Sequence, residues 1–471
     1  MKSSPISVVS FVLILGAIGA VVLSPNTYWL YIFGLVGIFS IVGYAMALLI
    51  GLAGQISIGH AAFFAIGAYV EAILITKYGF SFWSTIPCAF LISFLLGFAL
   101  AAPALRVKGP YLAMVTIAFG LILENIIIEI EPITGGFNGI ANIDKPELFG
   151  QMFNMRWHVG LIMLSAVGIG FGYFWLTRTR FGKSLKAAND SEVAAISIGI
   201  NPVYIRSLAF AYSAGITGFA GALFAPLAGF ISPENFTFLQ SILFLLLTIL
   251  GGVSTLTGPA IGALVIAGLP EILSGLAEYR LLVFGILLVV ILWLRPKGLA
   301  SLYEKHSYPV AMPKEGNYVA LESWLKQGVR SGLLKIQDLS ITFGGVKAVQ
   351  NVSFDIPNGQ VQGLIGPNGA GKTTLLNLIG RFYQAQNGLI LRENENLSKY
   401  PTYKQAKLGI ARTFQATQLF SSLTVYENLL LALPKNVNHD VLINELLLLV
   451  GFKHNLYSFA GDLPFVDRRL V

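Results

Sequence analysis

The chain has 471 residues, of which 55% are hydrophobic and 11% charged, with a formal net charge of +8. A soluble globular protein carries about 25% charged residues, so this composition excludes an ordinary soluble domain over the whole length and points to a polytopic membrane protein. It also gives no support to nucleic-acid binding, because many of the basic residues flank apolar runs, as the positive-inside rule expects, and no basic–aromatic motif accompanies them.

The charge is unevenly spread. Residues 1–294 are a near-continuous series of apolar runs, whereas 295–471 have a normal soluble balance. One membrane domain (1–295), a cytoplasmic linker (296–332) and one soluble domain (333–471) is the simplest division. The single cysteine, Cys88, lies inside an apolar run and has no metal-ligand neighbours at useful spacing, so it reads as buried packing.

In chain order, Lys2 precedes an apolar run from Ile6 to Leu23 with no convincing cleavage site after it, which reads as a first transmembrane helix. A crossing helix needs about 20 apolar residues. Ten spans are predicted: 6–24, 28–50, 57–76, 83–104, 109–130, 157–177, 205–230, 236–254, 259–276 and 278–294. Across 236–276, Gly251, Gly252, Gly258 and Pro259 leave a re-entrant or broken segment open as an alternative. Lys2, Arg106, Lys108, Arg178, Arg180, Lys183, Lys186, Arg206, Arg295 and Lys297 fall on one side of this arrangement, and only Lys77, Lys145, Arg156 and Arg280 on the other. The richer side is expected to be cytoplasmic, which places both termini and the soluble domain there. The loop 131–156, with Glu131, Asp144 and Glu147, is then external, and reads equally as a solvated loop or a docking surface.

Gly51–Ala68 is glycine-rich and carries Gln55, Ser57 and His60 at the mouth of a span. Small residues permit close helix packing. They also permit a broken helix, and transporters place solute sites at such breaks. Gln55, Ser57 and His60 are therefore candidates for the pathway or its gate, and the glycines equally for helix packing. Glu71 and Glu124 lie in predicted spans and so are functional candidates, with a place near the outer ends of those spans as the alternative. The basic segment 178–204 contains a short amphipathic helix, with apolar Val193, Ala194 and Ile196 near Glu192, and its length and pattern favour a docking helix for another domain over a solvent-facing connection.

The linker holds Pro296, Pro309 and Pro313 with little apolar periodicity, and is expected to be a tether. Leu334–Phe343 and Val346–Ile356 are β-like and split by Gly344-Gly345. Gln360–Ile365 is expected as a strand leading into Gly366-Pro367-Asn368-Gly369-Ala370-Gly371-Lys372-Thr373-Thr374, followed by a helix over Lys372–Ile379. That is a complete phosphate-binding loop in its proper strand–loop–helix context. Its glycines let backbone N–H groups wrap phosphates at a helix N-terminus. Lys372 is expected to reach the β- and γ-phosphates of ATP, and Thr373 to hold Mg²⁺. The fold class is thus a polytopic α-helical membrane domain of about ten spans followed by an α/β P-loop NTPase domain.

Thr342–Ala348, the loop Gly366–Thr374, and Arg412-Thr413-Phe414-Gln415 with Leu423–Asn428 resemble the ATP-binding subunit of branched-chain amino acid ABC importers. Gly51–Ala68 and Arg180–Ile200 are similar to the permease subunit of the same system. The resemblance implies that Phe343 stacks on adenine and that Gln415 contacts Mg²⁺ and the attacking water while sensing the permease. It implies a coupling loop at Arg180, Gly182, Lys183, Glu192 and Gly199. It also implies a bacterial-type inner membrane, a second permease subunit, complete ABC ATPase subunits, an external solute-binding protein and a small amino-acid substrate (Leu, Ile or Val). Relatives that import urea or short-chain amides leave an alternative substrate class.

Gly461–Val471 stands where the family places its C-loop, but departs from the LSGGQ pattern. The Walker B carboxylates and switch histidine that the family places later are not among these residues. The ATPase is therefore expected to be incomplete, through a truncated reading frame or a fragment, or else completed in trans. A non-catalytic permease scaffold is the corresponding alternative.

Overall fold

The computed structural model describes residues 26–104, 111–272, 279–295, 298–302, 310–314, 316–328, 332–393, 395–415, 417–434 and 436–471. Contacts divide the chain into two units, Met1–Gly182 with Val203–His306, and Lys183–Pro202 with Ser307–Val471.

In the first unit the apolar runs become helices: α1 (Thr27–Ala47), α2 (His60–Tyr78), α3 (Phe82–Ala104), α4 (Tyr111–Glu129) and α5 (Met155–Arg178). In chain order α6 (Arg180–Asp190) and α7 (Glu192–Ser197) follow, which from Lys183 on belong to the second unit, and the first unit resumes with α8 (Pro202–Ala228), α9 (Phe238–Gly251), α10 (Gly258–Ile272) and α11 (Arg280–Leu294). Seven helices among the described residues are long and apolar enough to cross a membrane. The predicted span 6–24 lies outside the described residues. α10 and α11 are each described over 15 residues. Among the described residues, seven of the ten predicted spans are long apolar helices, and the last two predicted spans appear as the shorter apolar helices α10 and α11. The glycines flagged in 236–276 make a close turn: a Cβ at Gly251 would collide with the Gly258 carbonyl, and one at Gly262 with that of Leu247.

Helices α1, α2 and α8 form the interior. Phe63, Phe64, Phe210 and Phe244 are fully buried, and Phe64 meets Phe224, Phe236 and Phe244 at ring separations of 5.2, 5.7 and 5.4 Å. Glycine brings α2 and α8 into backbone contact, since a Cβ at Gly67 would strike the Gly218 carbonyl and one at Gly221 that of Phe64. α3 behaves differently. Phe82, Thr85, Ala89, Ser93, Gly97 and Ala101 form a buried stripe at helical spacing while the remaining faces are open. Cys88 sits on the open face, so it is exposed instead of packed as expected. In the predicted external loop, β1 (Ile140–Ala141) pairs antiparallel with β2 (Phe230–Ile231), which follows α8.

In the second unit, β3 (Leu334–Phe343) and β4 (Val346–Ile356) form the predicted hairpin. Gly344 and Gly345 at its tip both have positive φ (49° and 90°), as a tight hairpin turn requires. β5 (Asn387–Arg392) and β6 (Glu395–Asn396) extend the sheet in the order β4-β3-β5-β6, with every pairing antiparallel. Leu375 and Leu378 from α13 (Lys372–Ile379) cover it, packing with Ile336, Leu339, Ile341 and Ile390.

Gln360–Ile365 does not form the predicted strand. Val361 is 100% and Ile365 94% exposed. An apolar strand of this kind is stable between neighbours that take its backbone bonds and cover both faces, and no strand pairs with it among the described residues.

A helical block completes the unit. α14 (Val425–Ala432) and α15 (His439–Leu449) pack through Val425, Leu442, Ile443 and Leu447. Thr424 and Glu427 form a capping box at the start of α14, each side chain bonding the other's backbone N–H. The linker differs from a plain tether, because it contains α12 (Val319–Gly328), whose Leu321 and Trp324 join this same core.

Candidate functional site

The phosphate loop is open and glycine-shaped. Gly369 and Gly371 have φ of 84° and 82°, and a Cβ at Gly371 would collide with the Ala348 carbonyl, so β4 backs the loop. Gly366, Asn368, Gly369 and Ala370 are exposed, as is Thr373, while Gly371, Lys372 and Thr374 are half-buried. Lys372 Nζ donates to the carbonyls of Gly366 and Pro367, both at 2.7 Å. The lysine thus folds over its own loop, where its charge is available to an incoming phosphate. The N–H groups of the first turn of α13 lack intrahelical partners. Together with the lysine and the left-handed glycines they fit a polyphosphate chemically. Phe343, at the end of β3, is 44% exposed and meets the Tyr383 ring edge-on at 5.2 Å.

Gln415 lies exposed in the stretch after Ile410. Arg412 fixes that stretch to the phosphate-loop helix. Its guanidinium bonds Asn377 Oδ1 on α13 and lies 5.5 and 5.3 Å from the Phe382 and Phe414 ring centres.

Farther along, the same stretch takes the segment 183–202. Ser191 Oγ donates to Gln418 Oε1 at 2.7 Å, and the Ser422 N–H donates to Asp190 Oδ2 at 2.7 Å. Lys183 Nζ lies 3.4 Å from Glu427 Oε1. α7 packs beside the short helix Thr402–Gln405, burying Ala194 and Ala195 while Val193 stays 45% exposed. Gly199 has a φ of 89° and approaches the Tyr403 carbonyl, so glycine is required there for conformation. Of the predicted coupling-loop residues, Lys183 meets Glu427 in this stretch, Gly199 faces Tyr403 ahead of it, and Glu192 lies exposed in the first turn of α7, whose N-cap is Ser191. Arg180 and Gly182 belong to the first unit, where a Cβ at Gly182 would collide with the Leu176 carbonyl. Sequence reading missed Asp190, Ser191, Gln418 and Ser422, because a polar residue in a charged loop carries no mark of its partner.

In the membrane unit the predicted helix break is present. α1 runs into a π-helical turn, Leu48–Ala53, which Gly54 ends with a φ of 64°. Residues 54–59 are irregular and α2 starts at His60. Ser57 and His60 are fully buried and bonded to each other, Oγ to Nδ1 at 2.8 Å. His60 Nε2 lies 2.9 Å from Ser213 Oγ, whose proton goes to the Ala45 carbonyl at 2.6 Å. Ser213 therefore accepts from His60 Nε2–H, and Nδ1 of the neutral ring accepts from Ser57. Thr116 Oγ1 takes the Ile58 N–H at 3.1 Å, and Ser241 Oγ takes that of Ala61 at 3.0 Å. Gln55 differs. It is 5% exposed, and neither atom of its amide has a partner among the described residues. Glu71 is fully buried, whereas Glu124 is half-buried.

Long apolar helices around a broken one, and a phosphate loop whose domain also holds the segment 183–202, define an ATP-binding-cassette transporter component: a multi-pass membrane permease fused to an ABC ATPase domain. Residues 28–292 match the family described as branched-chain amino acid transport system / permease component, and residues 349–464 match the ABC transporter family. The chain belongs to the branched-chain amino acid transport permease family, with an ABC ATPase domain joined to it. It is 36% identical over 286 residues to the high-affinity branched-chain amino acid transport system permease protein LivM of Salmonella typhimurium, covering 56% of this chain and 67% of LivM. It is 42% identical over 110 residues to the ATP-binding protein BraF of Pseudomonas aeruginosa, covering 23% of this chain and 43% of BraF. For the ATP-binding protein LivG of Escherichia coli the identity is 44% over 100 residues, covering 21% of this chain and 39% of LivG. The chain thus spans less than half the length of these ATP-binding relatives. An ABC ATPase domain implies ATP binding, and homology to separate permease and ATP-binding components implies further transporter subunits.

Proposed function

We propose that this chain is a component of an importer that uses ATP to bring leucine, isoleucine or valine across a bacterial-type inner membrane, with both termini cytoplasmic. The observation that carries the reading is the stretch 412–427. One end is fixed to the phosphate-loop helix through Arg412 and Asn377, and the other seats the segment 183–202 through Gln418, Ser422 and Glu427. In this reading Gly366, Asn368, Gly369, Ala370, Gly371, Lys372 and Thr374 bind the phosphates and Phe343 the adenine ring. Thr373 and Gln415 hold Mg²⁺, and bound ATP supplies the energy that closes paired ATPase domains.

The chain's own residues then transmit the change. A shift of α13 on phosphate binding moves Arg412, and with it Gln418 and Ser422, which carry Asp190 and Ser191. Lys183, Glu192 and Gly199, with Arg180 and Gly182 before them, form the coupling loop. Gln55, beside the bonded Ser57–His60 pair, is the pathway candidate left with free hydrogen-bonding capacity. A second permease subunit, complete ATPase subunits and an external solute-binding protein complete the assembly. The names of the relatives favour branched-chain amino acids over urea or short amides. The test is uptake of labelled leucine into vesicles holding the full assembly. Lys372→Ala is expected to weaken nucleotide binding by roughly a hundredfold and to abolish uptake; undiminished uptake would reject the proposal.

A further inference from the structure

The linker before β3 is held to the helical block by reciprocal bonds. The Ala311 N–H donates to Asn455 Oδ1 at 2.9 Å, and its carbonyl accepts from the Leu456 N–H at 2.8 Å. Asn444 repeats the pattern with one side chain: its Oδ1 takes the Lys314 N–H and its Nδ2 donates to the Lys314 carbonyl, both at 2.7 Å. The Leu321 N–H, in the first turn of α12, donates to Glu445 Oε2 at 2.7 Å. Glu445 is 2% exposed, so this charge-assisted bond is shielded from water, and an anion at a helix start is favoured by the helix dipole. Leu321, 4% exposed, enters the core of Leu442, Ile443 and Leu447, and Trp324 packs one turn further on the same face.

A tether with no role beyond length would leave these groups in water. Here a side chain from α15 reads both backbone groups of Lys314, and a buried carboxylate is committed to one linker N–H. The same α14–α15 block also carries Glu427, which meets Lys183, and follows directly on Ser422, which meets Asp190. The block therefore touches two segments that reach it from the apolar part of the chain, 183–202 and 311–324.

We infer that residues 311–314 and 316–324 are an intramolecular clasp that orders the α14–α15 block and keeps the neighbouring Ser422–Glu427 edge able to seat the segment 183–202. The clasp is a property of the fusion, since its residues lie between the permease and ATPase parts. It does not depend on the transported solute.

Hydrogen exchange on the purified full chain in detergent tests this. In the unaltered protein, the amides of Ala311, Lys314 and Leu321 exchange slowly. Glu445→Ala speeds exchange at Leu321 and along α15 by about tenfold or more, and raises exchange in 183–191 as the seat loosens. Leu321→Ala, which keeps every bonding group, gives the same pattern more weakly, and Glu445→Gln, which keeps an acceptor oxygen, preserves most of the protection. Unchanged slow exchange in the β3–β4 hairpin marks the opening as local. The inference is overturned if Ala311, Lys314 and Leu321 exchange at unstructured rates in the unaltered chain. It is equally overturned if both Glu445→Ala and Leu321→Ala free the linker while 183–191 exchanges as before.

Discussion

The break before α2 and the loop before α13 are built alike and used in opposite ways. Each is a glycine-bearing irregular segment that turns into a helix, at His60 in one and at Lys372 in the other. Before α2, elements from elsewhere consume the polar groups: Thr116 from α4, Ser213 from α8 and Ser241 from α9. Before α13 the groups stay open, and the one charged side chain bonds the loop's own carbonyls. A glycine-rich helix start becomes a structural knot when the fold supplies partners, and a ligand cradle when it withholds them. Gln55 is the exception inside the knot, and that is the ground for the proposal that it contacts solute.

The comparison can be broken by substitution. The largest effect is expected where glycine serves backbone contact. Gly67→Ala drives a Cβ into the Gly218 carbonyl, and should lower stability by about 3 kcal/mol, read as thermal unfolding in detergent. His60→Ala comes next. It strips partners from two buried serines and leaves a void, and should cost about 2 kcal/mol; a change below about 0.5 kcal/mol would mean the knot does not hold α1, α2 and α8 together. In the phosphate loop, Gly369→Ala meets nothing within 4 Å and suffers only its positive φ. Its cost should be about 1 kcal/mol, visible in nucleotide affinity as well as in melting. Gln55→Leu is expected to leave stability within about 0.5 kcal/mol, or to raise it, because it removes two unpartnered buried groups. It should still reduce leucine uptake. A large loss of stability would show that Gln55 is structural and not part of the pathway.

What was legible in the sequence had local causes. The β3–β4 hairpin follows from alternation and a Gly-Gly turn, and α13 from the phosphate-loop spacing, so both lie where residue pattern alone puts them. The long helices follow from apolar length. The strand expected at Gln360–Ile365 depends on neighbours to pair with, which pattern cannot supply. The clasp was illegible for a similar reason, since Leu321 and Trp324 gain meaning only against α15. The satisfied state of His60 was hidden by distance: its partner Ser213 is 153 residues away, and the Ala61–Ser241 bond spans 180. The sequence shows three polar residues, Gln55, Ser57 and His60, close together in one apolar segment, and only the fold separates the two that are spoken for from the one that is not.

In the proposed function the phosphate loop and the segment 183–202 are linked through Arg412, Gln418, Ser422 and Glu427. Hydrogen exchange in 183–200, measured on the full chain with and without Mg²⁺ and ATP, tests it most directly. The account predicts that nucleotide alters exchange in 183–200 in the unaltered chain and that Lys372→Ala abolishes the change. Nucleotide binding that leaves 183–200 unaltered would contradict it.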